Sequence, residues 1–521
     1  MRSVTISRVI PFRLDLRARA IPYALWIALA LAFAAIVRLR PFVTSDWPLN
    51  DGGMFVTAVS EILRNRYALP TTLEYNGLAI PFAYPPLAFY VAALVSDLGR
   101  VPLTDVFRAL PLFFSWLSVV AFHRVARRLL RDQRAVIAAT FAFGVVPSGW
   151  VWMVMGGGLT RALGLTFLLF ALGTIFDVFA RPTWRGVLTA GALSAAALLT
   201  HLEFAWALAF SAGSFWVTAP TRRRLRSLVA IGAVAIALAS PWLAIVIARH
   251  GVAPFVAAAQ TGQLTNPLEQ LLAFRQSGEP NFPLFAALAL LGAIIALVQR
   301  SPGVLAWTVA IALLDPRSWG TLSAVPLAIL AARGAIEGVG PFLASRTRVA
   351  VVLGMIAIGY LVHGALISQT TLLASLSPDE RAAMAWVAVH TPNEARVAVL
   401  SERGWADDRE AEWFPVLADR VSVATAQGVE WLPGSAFWQR LRSIEALEEC
   451  GTSDGECLET WSSDHAVAYD YVFLPKYPAV IRPDGTESWC CMGLRTALRV
   501  DPRFTLVYDG PGATIYERSK R

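Results

Sequence analysis

Apolar runs of about 17 to 22 residues recur from Ile21 to Leu372, each long enough to cross roughly 30 Å of hydrocarbon. A backbone in lipid must satisfy its own hydrogen bonds, so such runs fold as membrane-spanning helices. The 521 residues are 56% hydrophobic and 16% charged, outside the range of ordinary soluble domains. The runs fall near 21–38, 107–123, 135–153, 160–180, 186–200, 203–219, 227–248, 282–299, 303–314, 319–333 and 349–372. They predict a polytopic α-helical membrane protein of about 11 transmembrane helices, with 303–314 and 319–333 short enough for a re-entrant hairpin. From 373 to 521 the chain has ordinary charge, frequent Trp and Pro and no spanning run, which predicts a separate α/β domain in water.

The net charge of +8 does not point to nucleic acid, because the arginines cluster between apolar runs, where they set membrane orientation. Arg2, Arg8, Arg13, Arg17 and Arg19 mark residues 1–20 as a basic cytoplasmic amino terminus. Arg124, Arg127, Arg128, Arg131 and Arg134, and later Arg222, Arg223, Arg224 and Arg226, mark two further cytoplasmic loops. An odd number of spans then carries the loop 43–105 and the domain 373–521 to the extracytoplasmic side of a multi-pass cell-membrane protein. The four cysteines, Cys450, Cys457, Cys490 and Cys491, all lie in that domain, as disulfides of an oxidising compartment would. Cys450 with Cys457 plus the adjacent pair is one pairing; two cross-links between the segments is the other. A zinc site has unsuitable His and Cys spacing.

The loop 43–105 is too long for a plain connector, and loops of that length are usually functional or disordered. After Asp51-Gly52-Gly53, Phe55, Val56, Val59, Ile62 and Leu63 repeat at helical spacing, predicting an amphipathic helix. Ala83-Tyr84-Pro85-Pro86-Leu87 then opens a second apolar segment that ends at Asp97, too short to cross. Ser377-Pro378-Asp379-Glu380 is a capping box with proline at the first helical position, and strands are expected at 396–401, 471–474, 504–508 and 513–517.

The first span, the early Asp, the amphipathic helix, the Tyr-Pro-Pro-Leu hairpin and Arg108-Ala109-Leu110-Pro111 together resemble the amino-terminal half of the C-fold (GT-C) membrane glycosyltransferases. The layout is similar to lipid A aminoarabinose transferases and protein O-mannosyltransferases. The Asp-Gly-Gly form and Glu412-Trp413-Phe414-Pro415 resemble, more narrowly, membrane proteins grouped as "6-pyruvoyl-tetrahydropterin synthase related", although no pterin-synthase zinc histidines are present. The resemblance implies transfer of a sugar from a polyprenyl-phosphate donor in the membrane lipid to a glycan, lipid or protein acceptor, with inversion.

The same resemblance makes Asp51 the expected general base, since a carboxylate in the first outer loop would take the acceptor's proton; Asp46 is the second candidate. Capping of the following helix is the structural alternative for Asp51. A lipid phosphate needs cations, and Arg161, Arg317 and His201 are the candidate donor-phosphate ligands, each alternatively an interfacial or bundle-stabilising residue. Met155-Gly156-Gly157-Gly158 also offers backbone N–H groups to an anion at a helix start. Glu203 and Tyr84 are the candidate acceptor or sugar contacts. Trp405, Trp413, Trp431 and Trp438 are either sugar-stacking platforms or core. No Asp-x-Asp pattern adjoins Asp51, so no metal is assigned, although a divalent ion between Asp51 and Glu203 stays open. The rival readings are a lipid or glycan transporter or flippase, with Arg161, His201 and Glu203 lining a path, and a non-catalytic membrane scaffold.

Overall fold

The computed structural model describes residues 22–262, 266–272, 277–434, 436–476, 478–481 and 487–519. The basic amino terminus, residues 1–20, lies outside the described residues. Helix α1 (Tyr23–Thr44) is followed by α2 (Gly53–Arg64), the strands β1 (Thr72–Tyr75) and β2 (Leu78–Pro81), and α3 (Leu87–Gly99). The bundle continues with α4 (Leu103–Leu129), α5 (Gln133–Val145), α6 (Gly158–Ala180), α7 (Trp184–Thr200), α8 (Leu202–Val217) and α9 (Arg222–His250). After the short α10 (Ala253–Ala259) and α11 (Pro267–Leu272) come α12 (Leu284–Val298), α13 (Gly303–Leu314), α14 (Trp319–Arg333), α15 (Gly340–Leu343) and α16 (Thr347–Leu372).

Every apolar run is largely helical, although the helix in 135–153 stops at Val145, and not every helix is long enough to span. Six helices reach spanning length among the described residues, counting Trp319–Leu343 as one; a seventh joins α5 to the turns at Pro147–Met153 through a 76° bend. Helices α8, α12 and α13 are apolar but shorter. The expected count of about 11 is therefore six or seven by length, because 12 to 16 residues of helix rise only about 18 to 24 Å.

The loop 43–105 is ordered. Helix α2 buries Met54, Val56, Val59 and Ile62, the face its periodicity predicts. Between α2 and α3 lies an antiparallel hairpin that the apolar pattern did not reveal, turned by Asn76-Gly77 with φ of 52° and 71°. Asn-Gly is the strongest short hairpin signal, because both turn positions need positive φ.

Residues 377–519 form an α/β region around a five-stranded sheet. Its elements are α17 (Pro378–His390), β3 (Arg396–Val399), α18 (Arg409–Leu417), β4 (Val421–Ser422), α19 (Ala436–Glu449) and α20 (Gly455–Asp464). They continue as β5 (Tyr471–Pro475), β6 (Pro478–Ile481), β7 (Glu487–Trp489), α21 (Met492–Leu498), β8 (Phe504–Asp509) and β9 (Ala513–Arg518). The strand order is β4-β3-β5-β9-β8, with β3 parallel to both neighbours and the other pairs antiparallel. The capping box at Ser377 and Glu380 is present. Cys450 joins Cys457 and Cys490 joins Cys491, one of the two pairings left open by the sequence.

The α/β region shares its core with the first loop. One apolar cluster runs from Met54, Val59 and Phe89 through Trp413 and Phe414 to Val472 and Ile515. Tyr75 donates to the Glu412 carbonyl at 2.6 Å, and Asn76 exchanges two hydrogen bonds with the Ser422 backbone. The loop and the region therefore stand or fall together, each covering apolar surface the other would expose.

Candidate active site

Asp51 lies in a turn fastened from three sides. Asn50, at φ 51°, donates its N–H to the Ala374 carbonyl at 2.7 Å, and its side chain bridges Leu372 and Ala374. The Gly156 N–H donates to the Leu49 carbonyl at 2.8 Å. From α18, Glu412 Oε1 accepts the Gly52 N–H at 2.8 Å and Trp413 Nε1 donates to the Asn50 carbonyl at 3.0 Å. Gly52 has φ 130°, which a residue with a Cβ rarely adopts.

The Asp51 carboxylate points at α6. Its Oδ1 accepts the Gly157 N–H at 2.8 Å, and its Oδ2 accepts from the Arg161 guanidinium at 2.5 Å. The pair is enclosed, with side chains 18% and 23% exposed, and the Trp152 ring stands 5.5 Å from the Arg161 guanidinium carbon. The capping alternative is thus corrected: α2 has no side-chain cap, and Asp51 instead closes the amino-terminal end of α6, where helix dipole and free N–H favour a negative charge. The glycine turn makes this possible. A Cβ on Gly157 would lie 2.3 Å from Asp51 Oδ2, and one on Gly156 would lie 2.0 Å from the Asp51 carbonyl oxygen. The N–H that the sequence offered to a ligand anion holds a carboxylate of the chain itself.

From Arg161 a line of polar side chains crosses the end of the bundle. Tyr84 shares a hydrogen bond with Thr160 Oγ1 at 3.0 Å, and its ring lies 6.1 Å from that of His201 and 5.3 Å from that of Trp431. Burial pushes the Tyr84 phenol up to about 12, with the Thr160 bond pulling the other way. His201 sits at the junction of α7 and α8, and its Nδ1 is buried with no hydrogen-bond partner among the described residues. Glu203, in the first turn of α8, faces Arg317 at 3.9 Å, a loose pair. Arg161, Glu203 and Arg317 all act electrostatically on both Tyr84 and His201. Asp51, Arg161, Tyr84, His201, Glu203 and Arg317 therefore lie within electrostatic reach of one another through Arg161, at one end of the bundle.

Asp46 is elsewhere. It forms a half-exposed ion pair with Arg381 of α17 at 2.5 Å, and Arg381 also covers the Trp47 ring. Its contacts fasten the loop to the α/β region rather than reach Asp51. The tryptophans divide too: Trp413 and Trp431 are buried, Trp405 packs on Phe437, and half-buried Trp438 donates to the Gln260 carbonyl. Among the described residues no three His, Cys, Asp or Glu side chains gather as a metal would need, and Asp51 and Glu203 each turn to an arginine.

Glu412 has a part in this site that its sequence motif did not disclose. It is 4% exposed, its Oε2 lacks a hydrogen-bond partner among the described residues, and burial followed by the Asp51 charge pushes its carboxyl well above the usual range. Two neighbouring carboxylates disfavour each other's charge, which is why the Asp51 carboxylate adds to the effect of burial on Glu412. Asp407 lies near enough to feel Asp51, and burial raises it as well. The contact joins residues 360 apart, which no local pattern discloses.

No family model matches the chain, and no curated protein matches it. Solved structures do. ArnT from Cupriavidus metallidurans, bound to undecaprenyl phosphate, aligns with a TM-score of 0.60 and 14% identity over 94% of this chain and 98% of that one. The archaeal oligosaccharyltransferase AglB from Archaeoglobus fulgidus, in complex with an inhibitory peptide and a dolichol-phosphate, gives 0.56 and 12% over 89% and 74%. The arabinofuranosyltransferase AftD from Mycobacteria gives 0.58 and 13% over 95% of this chain and 40% of that longer one. The chain therefore shares its fold with membrane glycosyltransferases of the C fold.

Proposed function

We propose that the chain is an inverting membrane glycosyltransferase that moves a sugar from a polyprenyl-phosphate donor to an extracytoplasmic acceptor, with Asp51 as general base. In this reading residues 1–20 are cytoplasmic, and the loop 43–105 and residues 373–521 face outward. The narrower likeness to the "6-pyruvoyl-tetrahydropterin synthase related" proteins assigns no substrate. The observation that carries the reading is the direct contact of the Asp51 carboxylate with the Arg161 guanidinium, largely enclosed at one end of an apolar bundle. A base and an anion-binding cation are the two groups such a transfer needs side by side.

The donor phosphate competes with Asp51 for Arg161, whose planar fork grips two phosphate oxygens better than it grips one carboxylate oxygen. Arg317, loosely paired with Glu203, supplies a second cation, and His201 Nδ1 a buried polar atom awaiting a partner. Freed of its arginine, Asp51 accepts the proton of the acceptor hydroxyl. The hydroxyl oxygen bonds to the anomeric carbon as the bond from that carbon to the phosphate oxygen breaks. The electron pair leaves with the polyprenyl phosphate, whose charge the arginines hold. Tyr84 and Glu203 border the sugar.

The test uses the purified full chain in bilayers with a panel of polyprenyl-phosphate sugars and short glycan acceptors. Transfer by the native chain that Asp51→Asn abolishes and Glu203→Gln reduces supports the reading. Movement of the lipid across the bilayer without any new glycosidic bond would replace it with transport.

A further inference from the structure

A cavity of about 510 Å³ opens in the α/β region, between the β1–β2 hairpin tip at Leu78, the turn Val429–Leu432, α19 and the segment after α20. That volume lies within the roughly 300–1,000 Å³ of sites for small ligands. Its charge is one-sided. Arg396, Arg440, Arg442 and His465 line it, against a single acid, Asp464.

Arg396 is held by its Nε on the Ala468 carbonyl at 2.9 Å, and Arg440 by one terminal nitrogen on the Val423 carbonyl at 3.0 Å. Each bond uses one of five guanidinium donors, so the forks keep most of their capacity. None of the three arginines forms an ion pair among the described residues, although 17 such pairs occur elsewhere in them. Arg440 is half-buried, and burial and the charge of Arg396 both lower it, so the two cations feel each other. Leu78, Val429 and Leu432 make part of the lining apolar. Like charges held together, none of them ion-paired to the one lining carboxylate, beside apolar side chains describe a receptor for an anion attached to a partly apolar body. A sugar ring presents such a body, with C–H groups on one face and the anion at its edge.

We infer that this cavity binds an anionic saccharide unit, a sugar bearing a carboxylate or a phosphate, through Arg396, Arg440 and Arg442, and holds the acceptor glycan there. The word acceptor rests on the transferase reading; the binding does not. The same short segment serves both places, because Trp431 packs on Tyr84 at 5.3 Å while Val429 and Leu432 line the cavity. A single turn thus connects the cavity to Tyr84.

The experiment is calorimetric titration of the full chain in phosphatidylcholine nanodiscs with trigalacturonate, glucose 6-phosphate, maltotriose and inorganic phosphate. At least one anionic saccharide is expected to bind at least tenfold tighter than maltotriose and than inorganic phosphate. Which of the two binds tells carboxylate from phosphate. Arg442→Glu, at an exposed position that cannot cost the fold, and the Arg440→Ala, Arg442→Ala double variant are expected to weaken that binding at least tenfold while polyprenyl-phosphate binding is unchanged. Equal binding of maltotriose, equal binding of inorganic phosphate, or unaltered affinity in Arg442→Glu would each overturn the assignment. Absent anion binding with transfer intact overturns the cavity alone. Intact anion binding with no transfer to any acceptor removes only the transferase reading.

Discussion

Around Asp51 and around Arg440 the molecule handles charge in opposite ways. At Asp51 the acids face cations, Arg161 for Asp51 and Arg317 for Glu203, and the buried Glu412 carboxyl is pushed towards its neutral form. At Arg440 three guanidinium groups share a cavity without a carboxylate partner among the described residues. A matched site orients its groups before substrate arrives and suits chemistry, because reorganisation has already been met in folding. An unmatched one is completed only by an anion from outside and suits binding.

If the matched site does chemistry, the largest effect belongs to Asp51→Asn. The amide keeps an oxygen for the Gly157 N–H but cannot take a proton, so transfer should fall about 10² to 10⁴-fold with thermal stability little changed. Full activity in a glycan-transfer assay would move the base elsewhere.

Next comes Arg161→Gln, which removes the cation but leaves Asp51. The rate should drop about 10² to 10³-fold, with weaker binding of polyprenyl phosphate, as for loss of one preorganised donor to a developing anion. The same change at Arg317, exposed and loosely paired, should cost less; a reversed order would transfer the phosphate role to Arg317.

Gly157→Ala tests whether the match depends on close approach. Its Cβ would meet Asp51 Oδ2 at 2.3 Å and Arg161 at 2.8 Å, so the pair must part. A loss of about 1 to 3 kcal/mol by chemical denaturation is expected, together with lower activity.

The α/β region should loosen as pH rises. Burial and neighbouring acids push Glu380 and Asp408 up to about 7, and burial does the same for Glu430. Raised carboxyls hold protons in the fold that the unfolded chain has released, so their contribution is complete below about pH 4 and lost as pH climbs through about 7. Melting followed by tryptophan fluorescence should therefore come at higher temperature at pH 5 than at pH 8, and Asp408→Asn should flatten the difference.

The smallest effect is Asp46→Asn. Its exposed pair with Arg381 is screened by water, so stability should change by less than about 1 kcal/mol and transfer not at all. A large loss of transfer would return Asp46 to the list of bases.

Much of the site was legible because its residues are anomalies in their surroundings. Asp51 follows an apolar span, Arg161 follows three glycines, and His201 and Glu203 interrupt two apolar helices; charge in such places is costly and so stands out. Glu412 and Arg440 do not stand out, because the segment holding them is rich in charge and a carboxylate there is ordinary. Nothing local distinguishes buried Glu412 from exposed Glu394.

Legible in the residues alone were the apolar helices, the first loop with its amphipathic helix, the capping box and four of the seven strands of the α/β region, with β4, β6 and β7 missed. All follow from periodicity, length and cap chemistry within a dozen or so residues. Only the tertiary structure decided that the Asp51 carboxylate faces Gly157 and Arg161 instead of its own helix, and that Glu412 reaches Gly52. It also decided that three arginines share one cavity. These are contacts between segments about 40 to more than 300 residues apart, set by how apolar faces pack, and packing is a property of the assembled surfaces rather than of any stretch of chain.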